Sequence, residues 1–184
     1  MNSISTKAKI GKNVKIGFCV KILDNVIIDD DVSIGDYCLI GHSNKKKNNV
    51  HIKQGVKINS HSIIYSDVSI GKNSIIGHRV LIREKTIIKN NVQIGSYSDI
   101  EGYCQIHEYA KLHSNVHVGQ HSLIMSYAWI FPYVILTNDP IPPSNIRHGV
   151  TVEPFSIICT RSTILPGKSI GFGSFVGANS LVNN

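Results

Sequence analysis

The stretch Val68-Ser69-Ile70-Gly71-Lys72-Asn73-Ser74-Ile75-Ile76-Gly77-His78-Arg79-Val80-Leu81-Ile82 repeats one six-residue phrase. Each phrase holds a small residue, a variable one, a large aliphatic one and three corner-like residues. Toward the N-terminus the aliphatic position continues through Ile64, Ile58, Ile52, Lys46, Ile40, Ile34, Ile28, Ile22, Ile16 and Ile10. Toward the C-terminus it runs through Ile88, Ile94, Ile100, Ile106, Leu112, Val118, Ile124, Ile130 and Leu136. After a break it resumes at Val152 and passes through Ile158, Ile164, Ile170, Val176 and Val182. Of these 28 positions, 27 are aliphatic, and Lys46 is the exception.

Two residues before each aliphatic position sits a smaller side chain, as at Val14, Val20, Cys38, Ser62, Ser74 and Val80. Residues i−2 and i face the same side of an extended strand, so each hexad sends one small and one large residue inward. Gly often follows the aliphatic residue, as at Gly11, Gly35, Gly71, Gly95 and Gly119, and is expected to supply unusual corner angles. A period of six excludes amphipathic helices, whose apolar residues recur every 3.6. Short strands turning a corner every six residues wind into a parallel β-helix whose coils stack on one another.

The pattern breaks twice. The spacing from Ile40 to Ile52 keeps the phase, so one hexad around Lys46 is polar or looped out. From Leu136 to Val152 the spacing leaves the six-residue phase. Residues 137–149, with Pro140, Pro142 and Pro143, are therefore expected to leave the scaffold as one stiff extruded loop. Function concentrates on such loops.

Composition narrows the remaining choices. The 184 residues suit one domain, 1–184, and 42% apolar with 17% charged residues fits neither a disordered chain nor a membrane protein. No apolar run reaches the roughly 20 residues of a spanning helix, and Met1 to Lys7 lack a signal-peptide core, so a cytoplasmic location is expected. The net charge of +7 is dispersed apart from Lys45-Lys46-Lys47, without interleaved aromatics, which argues against nucleic acid as partner. Cys19, Cys38, Cys104 and Cys159 form no close pair, and Cys38 and Cys104 occupy small inward slots as core residues.

The hexads resemble the hexapeptide-repeat proteins of the left-handed β-helix superfamily over nearly the whole chain. The resemblance implies an all-β, left-handed, three-sided prism with three hexads per coil, hence about nine coils. On that arrangement, residues n and n+18 stack. Arg83 then lies beside Glu101 as an ion pair, Lys111 beside Trp129 as a cation–π pair, and Asp99 beside His117. Tyr97, Asn115 and Tyr133 form one ladder, and His121 meets Asp139 if the last coil runs on into the loop. His113, His117 and His121 recur every four residues, which scatters them over sides and corners and makes no ligand set. No metal is expected.

Leu136-Thr137-Asn138-Asp139-Pro140-Ile141-Pro142-Pro143 is similar to the T-N-D-x-x-P loop of hexapeptide acyltransferases that acetylate nucleotide-linked amino sugars. His113-Ser114-Asn115-Val116-His117-Val118 resembles the segment of that branch carrying an active-site asparagine, at a matching distance from the loop. Ile158 to Ile164 and Ile170 to Ala178 resemble the coils that line its coenzyme A groove.

The resemblance implies an acetyl-CoA-dependent acyltransferase without a metal. Its substrate would be a nucleoside-diphosphate-linked amino sugar for surface glycan or lipopolysaccharide assembly. It also implies a homotrimer with sites between subunits. Asn115 would stabilise the oxyanion, with His117 or His113 as the base, and Asn138, Asp139 and Tyr133 would hold the sugar. Thr160, Ser174, Gly177 and Ala178 would line the acyl donor's path. Lys168 breaks the small inward series and is either a displaced turn residue or a phosphate contact. Acetylation of a sugar hydroxyl and a non-catalytic β-helix are the alternatives.

Overall fold

A computed structural model describes residues 1–43 and 49–183. Lys45-Lys46-Lys47 lie outside the described residues. The described residues form 28 short strands, all paired in parallel, in three sheets of ten, nine and nine. Face A begins at Ser3–Ile4, face B at Lys9–Ile10 and face C at Lys15–Ile16, and the chain then returns to face A at Lys21–Ile22. The result is the left-handed, three-sided β-helix, a little over nine coils long. Ile4 adds a strand before Ile10, where the aliphatic series of the sequence begins.

The register gives the stacking distance directly. Ile82 pairs with Ile100 and Leu112 with Ile130, so one coil takes three hexads. Across the first interruption Ile40 pairs with Ile64, a separation of four hexads, so the sequence between them is one hexad longer than a coil. Across the second, Leu136 pairs with Ile164, a separation that is no whole number of hexads, and residues 137–150 contain no strand. Both insertions fall between a face-A and a face-B strand. They therefore interrupt the strand order at the same corner, A/B.

Inward side chains fill the prism as one continuous ladder. Ile40, Ile64, Ile82, Ile100, Val118 and Leu136 are fully buried, each such side chain worth about 1.5–3 kcal/mol relative to exposure. At the N-terminal end Ile4 and Ile10 are 42% and 39% exposed, because no coil covers them there. Buried Ser residues in the small slot are satisfied by the next coil. The Ser98 hydroxyl donates to the His113 carbonyl (3.0 Å) and accepts from the Val116 N–H (3.2 Å), and Ser62 and Ser74 make the same pair of bonds in their own coils. Cys104 fits this slot as a core residue, its thiol toward the Gly119 carbonyl and its pKa pushed by burial up to about 11.

The expected role of the corner glycines holds at Gly41, whose φ is 90°, and is corrected at the others that follow an aliphatic position. The left-handed residue of most corners is the third after the aliphatic one, and it is seldom Gly: Asn73, Arg79, Asn115 and Tyr133 have φ of 57°, 54°, 58° and 63°. None of these corner residues is β-branched, which fits the steric cost of that region. Gly95 has an ordinary φ and is needed for closeness instead. A Cβ there would lie 2.4 Å from the His113 carbonyl carbon of the next coil.

Candidate functional site

His117 projects from face A, on the strand directly above Asp99. Its Nδ1 lies 3.4 Å from Asp99 Oδ2, and its Nε2 lies 3.9 Å from Glu101 Oε1. The Asp99 hydrogen bond raises the imidazole pKa above its usual value, with the Asp99 and Glu101 charges acting the same way and burial opposing them. Asp99 Oδ1 is buried and has no hydrogen-bond partner among the described residues. A buried carboxylate oxygen without a donor is unusual and marks a place where a donor fits.

Glu101 joins the His to the extruded loop. Its Oε2 accepts from Asn138 Nδ2 at 2.7 Å and from the Gln120 N–H at 3.3 Å. The n+18 count pairs Glu101 with Arg83, and the structure corrects this expectation. Arg83 instead pairs with the adjacent Glu84 carboxylate, through Nε at 3.3 Å and Nη2 at 3.2 Å. A sequence signal for Glu101 was available, since the residue three hexads later is Gly119. No side chain stands over the carboxylate from that position, which leaves it free to reach sideways to Asn138 and His117.

Asp139 does not meet His121. Gly149 occupies that position, so close that a Cβ on it would fall 2.1 Å from the His121 carbonyl carbon. The inserted residues carry Asp139 outward, where its carboxylate accepts from the Ser144 hydroxyl (2.7 Å), the Ser144 and Ile141 N–H groups and Arg147 Nη1 (3.1 Å). These bonds, Ser144's foremost, hold the carboxyl below its usual pKa. The loop's base is closed where the His148 N–H donates to the Asn138 carbonyl at 2.8 Å. Asp139 thus ties the loop together, and Asn138 ties it to the prism.

The other expected site residues separate by corner. Asn115 and Tyr133 share the C/A corner in one ladder with Tyr97, and Thr160, Gly177 and Ala178 lie on that corner in the C-terminal coils. His113 also begins this corner, with its ring centroid 5.1 Å from Phe131 and 6.0 Å from Trp129, on the face-C side. Trp129 receives the expected cation–π contact from Lys111, at 5.6 Å. Lys168 is on the A/B corner, half-buried in a slot that other coils fill with small residues. Ser174 is on the B/C corner, where its carbonyl accepts from the Ile157 N–H. Within one chain, His117 and Asn138 are gathered through Glu101, while Ser174 stands on a different edge of the prism from Asn115.

No group of three or more His, Cys, Asp or Glu among the described residues is placed to hold a metal ion. A family described as bacterial transferase hexapeptide (six repeats) matches residues 7–42, 49–84 and 85–120, which is more than half of the chain. The chain belongs to the bacterial transferase hexapeptide family.

Its fold is shared with solved acyltransferases. UDP-N-acetylglucosamine acyltransferase from Campylobacter jejuni is 17% identical with a TM-score of 0.70, over 94% of this chain and 66% of that one. The enzyme of the same name from Bacteroides fragilis is 21% identical with a TM-score of 0.53, over 96% and 67%. The Arabidopsis enzyme is 13% identical with a TM-score of 0.59, over 96% and 70%. This hexapeptide chain thus spans just under two-thirds of the Campylobacter protein's length. No curated protein matches it in sequence. The matched stretches that end at 42 and begin at 49 bracket the first insertion, which agrees with its standing outside the repeat.

Proposed function

We propose that this hexapeptide protein is a cytoplasmic acyltransferase that moves an acetyl group from acetyl-CoA to the amino group of a nucleoside-diphosphate-linked sugar. The observation that carries this reading is His117, held by Asp99 and facing Glu101–Asn138 at the root of the extruded loop. The family and the fold shared with UDP-N-acetylglucosamine acyltransferases support it. The predicted T-N-D-x-x-P resemblance points to amino-sugar acetylation in surface-glycan or lipopolysaccharide assembly.

In the proposed reaction the neutral amine attacks the thioester carbon, a C–N bond forms and the C–S bond breaks. Asp99 fixes the imidazole so that Nε2 points to the acceptor, and Nε2 takes the proton that the nitrogen loses and delivers it to the departing thiolate. Asn115 or a backbone N–H of the C/A corner stabilises the oxyanion. Asn138 positions Glu101, and Tyr133 borders the sugar.

The acyl donor's path fits part of the expected set. Gly177 and Ala178 are exposed on the C/A corner, and a Cβ added to Gly177 would meet only Ser180 Oγ, at 3.7 Å. Thr160 lies one coil below. Ser174 and Lys168 face other directions and join the path only from a neighbouring copy. The proposed homotrimer supplies such a neighbour, and exposed Phe175, Phe172, Phe155 and Leu181, at 69%, 72%, 53% and 61%, support a covered surface there.

O-acylation of a sugar hydroxyl is the second reading. It is favoured by the raised basicity of His117, since a hydroxyl needs a base more than a neutral amine does. Incubation with acetyl-CoA and a panel of nucleotide-linked 3- and 4-amino sugars, reading thiol release, separates the two. Release with an amino sugar is expected. Release only with hydroxyl acceptors overturns the N-acyl reading, and release with neither overturns both.

A further inference from the structure

A second feature lies on the A/B corner between the two insertions, reaching from two coils below Glu101 up to Glu101's own coil. Tyr65 and Arg83 form one wall of a cleft, and Lys85 and Tyr103 form the other, with Glu84 between them and Asp67 at the rim. Its volume is about 150 Å³. The Arg83 guanidinium lies 5.9 Å from the Tyr65 ring centroid, and the Lys85 ammonium lies 4.8 Å from that of Tyr103. His121 covers the Tyr103 ring from the other side, at 5.0 Å. The rings thus hold two cations toward one opening.

The donors that remain define what fits. Arg83 spends Nε and Nη2 on Glu84, which leaves Nη1 and one further N–H in its five-donor fork. Lys85 makes no ion pair among the described residues and keeps its three donors. Each Glu84 oxygen accepts one bond from Arg83 and retains a second lone pair for a hydroxyl donor. Two anion-seeking groups beside two acceptors of neutral O–H groups, Glu84 and, beneath Lys85 at the rim, Asp67, match a phosphorylated ribose. A bare anion would meet Glu84 unfavourably, and an uncharged sugar would leave both cations unused.

The spacing joins this cleft to His117. Glu101 stacks above Arg83, one coil away, and a coil rises about 4.8 Å. A pyranose ring spans roughly that length, so a sugar seated against Glu101 and His117 delivers its anomeric phosphate to the level of Arg83 and Lys85.

We propose that the Tyr65–Arg83/Lys85–Tyr103 cleft binds the nucleoside diphosphate of the substrate. Lys85 and Arg83 take the phosphate oxygens and Glu84 accepts from the ribose hydroxyls. The nucleotide then runs toward the N-terminal coils along the A/B corner. This rests on the nucleotide-sugar reading above, and it adds where that substrate's charged end lies and how it is oriented.

Binding of free UDP, GDP and CDP to the whole protein, measured by calorimetry with inorganic phosphate as the control, tests the cleft without requiring turnover. The variants are Lys85→Asn, whose side chain tolerates the left-handed corner at φ 58°, and Glu84→Gln, with unchanged melting as the check on folding. At least one nucleotide is expected to bind more tightly than phosphate. Lys85→Asn should weaken it at least tenfold and raise KM for the sugar nucleotide with little change in kcat. Glu84→Gln should weaken UDP more than 2′-deoxy-UDP. Wild-type nucleotide binding and KM in Lys85→Asn, or no nucleotide binding at all, overturns the cleft. If Lys85-dependent binding is found but no sugar nucleotide is acetylated, the cleft stands and the acyltransferase reading falls.

Discussion

At the residue scale, His117 differs from the other histidines because carboxylates lie near both of its ring nitrogens. As a base it must be neutral, so the acid limb of kcat/KM is expected above the ordinary imidazole value of 6.5. Asp99→Asn removes the largest cause of the shift. It should move that limb to lower pH while lowering the plateau, as read from a pH–rate profile of both proteins. His117→Gln should reduce kcat by about 10²–10⁴-fold, against a few-fold at most for His113→Gln, whose ring is occupied by Phe131 and Trp129. Equal losses in the two variants would remove His117 from its assigned role. The linkage to stability has a defined sign. A pKa raised by folding stabilises the fold fully below 6.5, and this contribution is lost as pH rises through the raised value.

At the scale of the element, the corner glycines and the loop make separate claims. Gly95→Ala forces a Cβ into the next coil's backbone, and overpacking of this kind costs about 1–3 kcal/mol. Gly177→Ala makes only an ordinary contact with Ser180 Oγ, at 3.7 Å, and should melt like the parent, so a differential thermal melt of the two decides whether closeness is the reason. In the loop, Asp139→Ala removes the acceptor of Ser144 and Arg147. Faster amide exchange or proteolysis confined to residues 137–149 is expected, with the prism unaffected. Asp139 has a lowered pKa, so its contribution to loop order is present above 3.8 and declines as pH falls through the lowered value. Much of this level was legible beforehand. The loop's boundaries followed from the lost phase and its prolines, and Asp99 beside His117 followed from counting three hexads. Glu101 was misassigned because the count names the residue above and below but not the diagonal neighbour. Asp139 does not stack on His121 because the chain leaves the prism there, as the lost phase implied, and the inserted residues break the count.

For the molecule as a whole, the A/B corner emerges as the working edge. Both insertions fall there in the strand order, and His117–Glu101–Asn138 and the Arg83–Lys85 cleft lie on that edge. The residues expected to line the acyl donor's path are spread over three corners, which a single prism cannot bring together. The proposed trimer brings edges of two prisms face to face. Light scattering should give three times the chain mass, and substituting exposed Phe175 and Leu181 together by Ser should lower both mass and activity. A monomer of full activity would sink the intersubunit site.

The hexad period by itself determined the parallel β-helix, its inward ladder and the place of the extruded loop. It did so because every coil repeats the same local choice between an inward aliphatic and a tight corner. The tertiary structure decided what the repeat leaves open. It showed which corner interrupts the repeat twice, that glycines such as Gly95 and Gly149 serve closeness between coils, and that Glu101 links His117 to Asn138. Those contacts run between coils and diagonally across a corner, where side-chain reach and the absence of a neighbour at Gly119 govern, and no fixed sequence spacing encodes them.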